Sequence, residues 1–119
     1  MTQIRIKRVY DPEARDDGYR VLVDKLWPRG MRKESLYYDL WAKDIAPSTV
    51  LRQWYHTDPE GNWAEFRKRY LAELRHSSAA QDFVAKIRSH PTVTLLYAAK
   101  DTAHNHALVL QSYLQDALK

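Results

Sequence analysis

Cysteine is absent from the 119 residues. That absence excludes disulfides, thiolate metal sites, iron–sulfur clusters and cysteine nucleophiles, and leaves stability to packing. Glycine is scarce, with three residues in the chain, too few for collagen-like or glycine-rich architectures, and neither a Walker A nor a Rossmann fingerprint occurs. No Gly-x-Ser-x-Gly elbow is present, so the familiar covalent hydrolase arrangements have little support. Long apolar runs are missing as well. Nowhere do about 18 apolar residues stand together, and the opening Met1 to Arg8 lacks the apolar core of a signal peptide. The expectation is a cytoplasmic protein with no membrane partner.

What is there reads as one globular domain over residues 1–119, because 45% hydrophobic residues, with 8 Tyr and 4 Trp, are too many for a disordered chain. Lysine and arginine outnumber the acids by 19 to 15, a net charge of +4 that attracts phosphates without requiring them.

Ile4-Arg5-Ile6-Lys7 alternates apolar and cationic residues as a half-buried strand does, and Asp11-Pro12 stops a strand over about residues 3–9. Pro12 to Gly18 is dense in charge and reads as an exposed loop, with Gly18 available for a turn. Two β-branched runs then predict core strands over about residues 20–24 and 92–99. Only about nine residues separate the first two strands, fewer than a parallel crossover needs, so that pair is either antiparallel or not adjacent. The long stretch between Asp24 and Thr92 suits a right-handed crossover that sets the core strands parallel.

Helix signals fill that stretch. Ser48 is a good N-cap for a short helix over 49–55. Asn62-Trp63-Ala64-Glu65 has the form of a capping box ahead of Phe66, Tyr70 and Leu74. Ser78-Ala79-Ala80-Gln81 repeats the pattern ahead of Phe83, Val84 and Ile87. A last helix carries the stripe Ala103, Ala107, Leu110, Leu114 and Leu118, while residues 36–45 fit a helix or a strand equally well. The fold class is a small α/β domain, its short and mainly parallel sheet packed by four to five helices.

Four blocks carry a resemblance: Arg8-Val9-Tyr10-Asp11, Gly18 through Gly30, Trp41 through Ser48, and Leu95 through Asp101 with His104-Asn105-His106-Ala107. Together they resemble the bacterial domain-of-unknown-function 488 family in its YeaO-like branch, over nearly the whole chain. The resemblance implies a compact α/β domain in bacterial cytoplasm. It names no activity, cofactor or catalytic residue, so function is argued from side chains.

In open α/β sheets ligands sit beyond the carboxyl ends of parallel strands. If the core strands run parallel, the loop bearing Asp24, Trp27, Arg29 and Arg32 shares an edge with Lys100, Asp101, His104 and Asn105. Arg29 and Lys100 would hold an anion, with Arg32 and Trp27 beside them. Asp24 or Asp101 would handle a proton, His104 would serve as acid or base, and Asn105 would orient the ligand from the last helix. Each residue also has a bland reading: Asp101 as a helix cap, Asp24 as a turn cap, the arginines as solvated cations, His104 as helix-start packing. His104 and His106, two apart on a helix, point about 200° apart and do not chelate one ion. No metal or cofactor is assigned. The leading reading is a phosphorylated or nucleotide-like small molecule bound at this edge, with turnover left open. The weaker alternative is a nucleic-acid-binding module using the same basic loop and Arg67-Lys68-Arg69. The sequence assigns no oligomeric state.

Overall fold

A computed structural model describes residues 2–119 of the chain. Four strands, β1 (Gln3–Arg8), β2 (Tyr19–Leu22), β3 (Leu40–Trp41) and β4 (Thr92–Tyr97), form one sheet in the order β1-β4-β2-β3. Every neighbouring pair is parallel. β4 separates β1 from β2, so of the two alternatives for that pair the non-adjacent one holds, and no tight parallel connection is needed. The register places Ile4 beside Val93 and Val21 beside Leu95.

Alternation along the central strands divides the core in two, since successive side chains point to opposite faces. Val21, Val23, Val93, Leu95 and Tyr97 face one side, where all four helices pack: α1 (Thr49–Thr57), α2 (Pro59–Arg75), α3 (Ser78–Ile87) and α4 (His106–Ala117). Leu22 and Leu96 face the other side and are covered by Val9, Leu36, Trp27 and Tyr38 from irregular chain. The domain is therefore a helical layer on a sheet whose second face is closed by loops. Each of these fully buried aliphatic side chains contributes about 1.5–3 kcal/mol.

Several element boundaries differ from the sequence expectation, each for a local reason. α2 starts at Pro59, not at Asn62, because Asp58 accepts the Gly61 N–H and the proline ring fits the first helical turn. α3 is capped by Ser77, whose hydroxyl accepts from the Ala80 N–H, so Ser78 is already helical. α4 begins at His106 under an Asn105 cap, which leaves Ala103 and His104 outside it. Within residues 36–45 the regular element is the two-residue strand β3, selected by pairing with β2.

The segment expected to be an exposed loop contains one buried acid. Asp17 is 3% exposed and takes bonds from Lys7 Nζ at 2.7 Å, from the Ala14 N–H at 2.9 Å and from the buried Arg20 guanidinium. Burial alone would raise its carboxyl, but those three donors and the Lys7 charge outweigh it and hold the group below its ordinary value. Gly18 follows at φ +66°, and a Cβ there would meet the Thr92 carbonyl at 2.4 Å. Only glycine lets the chain enter β2 so close to β4.

Candidate functional site

β2 and β4 run parallel, so the segments that follow them emerge together at one edge of the sheet. The Val23 N–H still reaches the Leu96 carbonyl at 3.0 Å. One residue later the Asp24 side chain continues the ladder, its Oδ2 accepting the Ala98 N–H at 3.0 Å. The Asp24 carbonyl in turn accepts from Trp41 Nε1 at 2.7 Å. Asp24, the best acid in the sequence, is thereby a clamp between strand ends.

Above this edge lies a cavity of about 420 Å³ with three walls. The loop after β2 contributes Lys25, Trp27, Pro28 and Arg29. α1 and the residues before it contribute Pro47, Arg52, Tyr55 and His56, with Phe66 of α2 behind them. The segment between β4 and α4 contributes Lys100, Asp101, His104, Asn105 and the first helical residue, His106. Of the residues expected at this rim, all but Arg32 line the cavity; Arg32 is exposed and precedes a 3-10 turn over Lys33–Ser35.

Both carboxylates on the wall accept main-chain N–H bonds, Asp24 through Oδ2 alone, its buried Oδ1 having no hydrogen-bond partner among the described residues. Asp101 Oδ1 accepts the N–H groups of Ala103 at 2.8 Å and His104 at 3.0 Å, and these bonds hold its carboxyl below the ordinary value. Asn105 is similarly committed: Oδ1 caps Leu108 N–H at 3.0 Å, Nδ2 donates to the Asp101 carbonyl at 2.9 Å, and the residue is 2% exposed. It shapes the wall and has little left for a ligand. Asp101 is a turn residue and not the helix cap, because Asn105 takes that place. His104 sits in the turn before α4, not in its first turn, with its ring edge-on to Trp63 at 4.9 Å. Trp27 is fixed by Nε1 donating to the Met31 carbonyl at 2.7 Å and by edge contacts with Tyr38 and Trp41.

The cations are in the opposite condition. None of Lys25, Arg29, Arg52 and Lys100 makes an ion pair with a described residue. Arg52 Nε is buried and lacks a hydrogen-bond partner among the described residues. Tyr55, nearly a full turn further along α1, is raised above its ordinary value by burial and then by the Asp101 charge, so it presents a neutral phenol. His106 Nε2 bonds to the Val23 carbonyl at 3.2 Å and stands 3.0 Å from Asp24 Oδ1. Among the described residues no group of three His, Asp or Glu side chains is arranged to hold a metal ion.

Residues 3–119 match the profile of the family DUF488-N3i, described as "Inactive DUF488-N3 subclade". The chain belongs to that family. Relatives agree over nearly the full length. "Uncharacterized protein YeaO" of Escherichia coli strain K12 is 49% identical over 112 residues, 94% of this chain and 96% of that protein. "Uncharacterized protein Rv3073c" of Mycobacterium tuberculosis strain H37Rv is 45% identical over 113 residues, 95% of this chain and 94% of that one. No solved structure is a significant match. The four-block resemblance read from the sequence is thus confirmed at the level of the DUF488 family.

For this DUF488 chain, sequence reasoning passed over Arg52, Tyr55, His56 and His106. A signal existed for the first three, which recur at i, i+3 and i+4 on a helix whose buried residues are Leu51 and Tyr55. His106 was weighed only as a partner for His104 in metal binding, and its contact with a strand end 83 positions away had no local signature.

Proposed function

We propose that this chain works in the cytoplasm as a binding protein for a small molecule bearing a phosphate or carboxylate, held at the carboxyl edge of its sheet without being turned over. One observation carries the reading. Four cations line one cavity and make no ion pair with a described residue, whereas the two acids there each accept main-chain N–H bonds, Asp101 through Oδ1 and Asp24 through Oδ2. A buried guanidinium N–H without an acceptor costs about 1–3 kcal/mol, which a bound anion would offset. The word "Inactive" in the family description supports binding over catalysis. No helix among the described residues is long and apolar enough to cross a membrane.

The nucleic-acid reading has less support. Arg69 is taken up by Glu65 at 3.1 Å and by the Trp54 ring at 4.4 Å, and the run Arg67-Lys68-Arg69 lies outside the cavity. Calorimetric titration with inorganic pyrophosphate and with adenosine monophosphate tests the primary proposal. Arg52→Ala and Lys100→Ala should each weaken binding about tenfold or more while leaving the melting temperature close to wild type. Unchanged affinity in both variants would overturn it.

A further inference from the structure

The cavity also contains a hydrogen-bond acceptor that the anion reading does not use. His106 Nε2 bonds to the Val23 carbonyl at 3.2 Å, which can only accept, so a ring proton resides on Nε2; Asp24 Oδ1 stands 3.0 Å away as a charge contact that does not complete a hydrogen bond. The carboxylate is itself immobile, because Oδ2 is held by the Ala98 N–H. With its backbone set at the start of α4 and its Nε2 fixed, the neutral imidazole presents Nδ1 as a lone pair. Nδ1 makes no hydrogen bond with a described residue and, unlike Arg52 Nε, it is not a buried orphan. His106 lines the same cavity as the free cations.

The third component of the wall is aromatic, with Trp27 half-buried and the tilted rings of Tyr55 and Phe66 buried behind it. Tyr55 and Phe66 pack with ring centroids 4.4 Å apart, and Trp27 is held across the cavity mouth's loop by its bond to Met31. A ligand matching all three surfaces carries a negative group for the cations, a planar body for the aromatic wall and an O–H donor for Nδ1. A volume of about 420 Å³ is of the size that holds one such molecule and not a polymer.

The geometry points to a nucleoside monophosphate as the ligand class, with the Asp24-oriented His106 accepting a hydrogen bond from a ribose hydroxyl. This inference rests on the anion-binding reading and adds the discrimination between ligands that have the hydroxyl and those that lack it. Asp24 is a positioning residue here, since it acts on the ligand only through the imidazole.

Wild-type protein titrated with adenosine monophosphate and its 2′,3′-dideoxy analogue should bind the former about tenfold more tightly, the effect of one hydrogen bond to a site left unpaired by the analogue. His106→Gln keeps a donor near the Nε2 position but has no atom at Nδ1, and should bring the ratio close to one. His106→Asn, which keeps an acceptor near the Nδ1 position, should retain part of the preference. Nitrogen NMR of the wild-type imidazoles, needing no variant, should register a shift of His106 Nδ1 with adenosine monophosphate and none with the analogue. If pyrophosphate and both nucleotides fail to bind, the anion reading itself falls. If they bind with a ratio near one in wild type, or if His106→Gln preserves the preference, the hydroxyl inference is overturned and the anion reading stands.

Discussion

Asp17 and Gly18 are adjacent residues that join the entry of β2 to β1 and β4. Gly18→Ala places a Cβ 2.4 Å from the Thr92 carbonyl at a φ that L side chains rarely adopt. The backbone conformation alone costs about 1–3 kcal/mol and the overlap adds to it, so the urea midpoint should drop sharply. Asp17→Asn removes the negative charge that faces Lys7 and buried Arg20 and turns one of the two accepting oxygens into an N–H donor, a loss of about 3 kcal/mol, because a charge is left buried without its partner. The pH dependence follows from the depressed Asp17 carboxyl. Its contribution is complete above the unfolded value near 3.8 and is lost as pH falls through the lower folded value. Melting temperature against pH should therefore fall in that acid range for wild type and fall less for Asp17→Asn. The turn at Gly18 was legible from composition. The burial of Asp17 was not, since the partners that neutralise it come from two different strands.

Among the elements, α4 depends most on one side chain for its place. Asn105 accepts from Leu108, donates to the Asp101 carbonyl and is buried, so it joins helix start and preceding turn. Asn105→Ala should cost about 1–2 kcal/mol in thermal unfolding and should also weaken pyrophosphate binding, because Lys100 and Asp101 lose the bond that orders their turn. An unaltered affinity would separate the cap from the cavity. Helix existence was readable from the Ser48 cap for α1 and from apolar spacing for the other three, whereas the starts of α2, α3 and α4 were misplaced by one to a few residues. Each true start was decided by a competing cap a short way along the chain: Asp58 with Pro59, Ser77, and Asn105. β3 could not be read at all from its own residues. Two residues carry no period, and only pairing with β2 makes them a strand.

At the level of the whole molecule the net charge of +4 is modest, and its placement matters more than its size. Four unpaired cations and two engaged carboxylates leave the cavity wall net positive, while the basic run on α2 is partly neutralised where it stands. Pyrophosphate affinity should therefore weaken as salt rises, through screening of partly exposed charges. Arg67→Ala should leave that affinity unchanged. A random oligonucleotide whose binding falls steeply with salt, and flattens by about one phosphate contact in Arg67→Ala, would favour the nucleic-acid alternative instead.

Strand alternation, helix stripes, the parallel direction of the central strands and the absence of thiol chemistry all follow from residue types and short spacings, because periodicity and chain length act locally. The proximity of Asp24 to Lys100 at one rim was legible for the same reason: parallel strands send their successors to the same side. Packing decided that the face of α1 bearing Arg52, Tyr55 and His56 closes the cavity, that β4 lies between β1 and β2, and that Asp101 Oδ1 and Asp24 Oδ2 take main-chain donors while the cations make no ion pair with a described residue. Those outcomes depend on which surfaces meet when the helical layer settles on the sheet, and a contact between residues many positions apart leaves no period in the sequence that makes it.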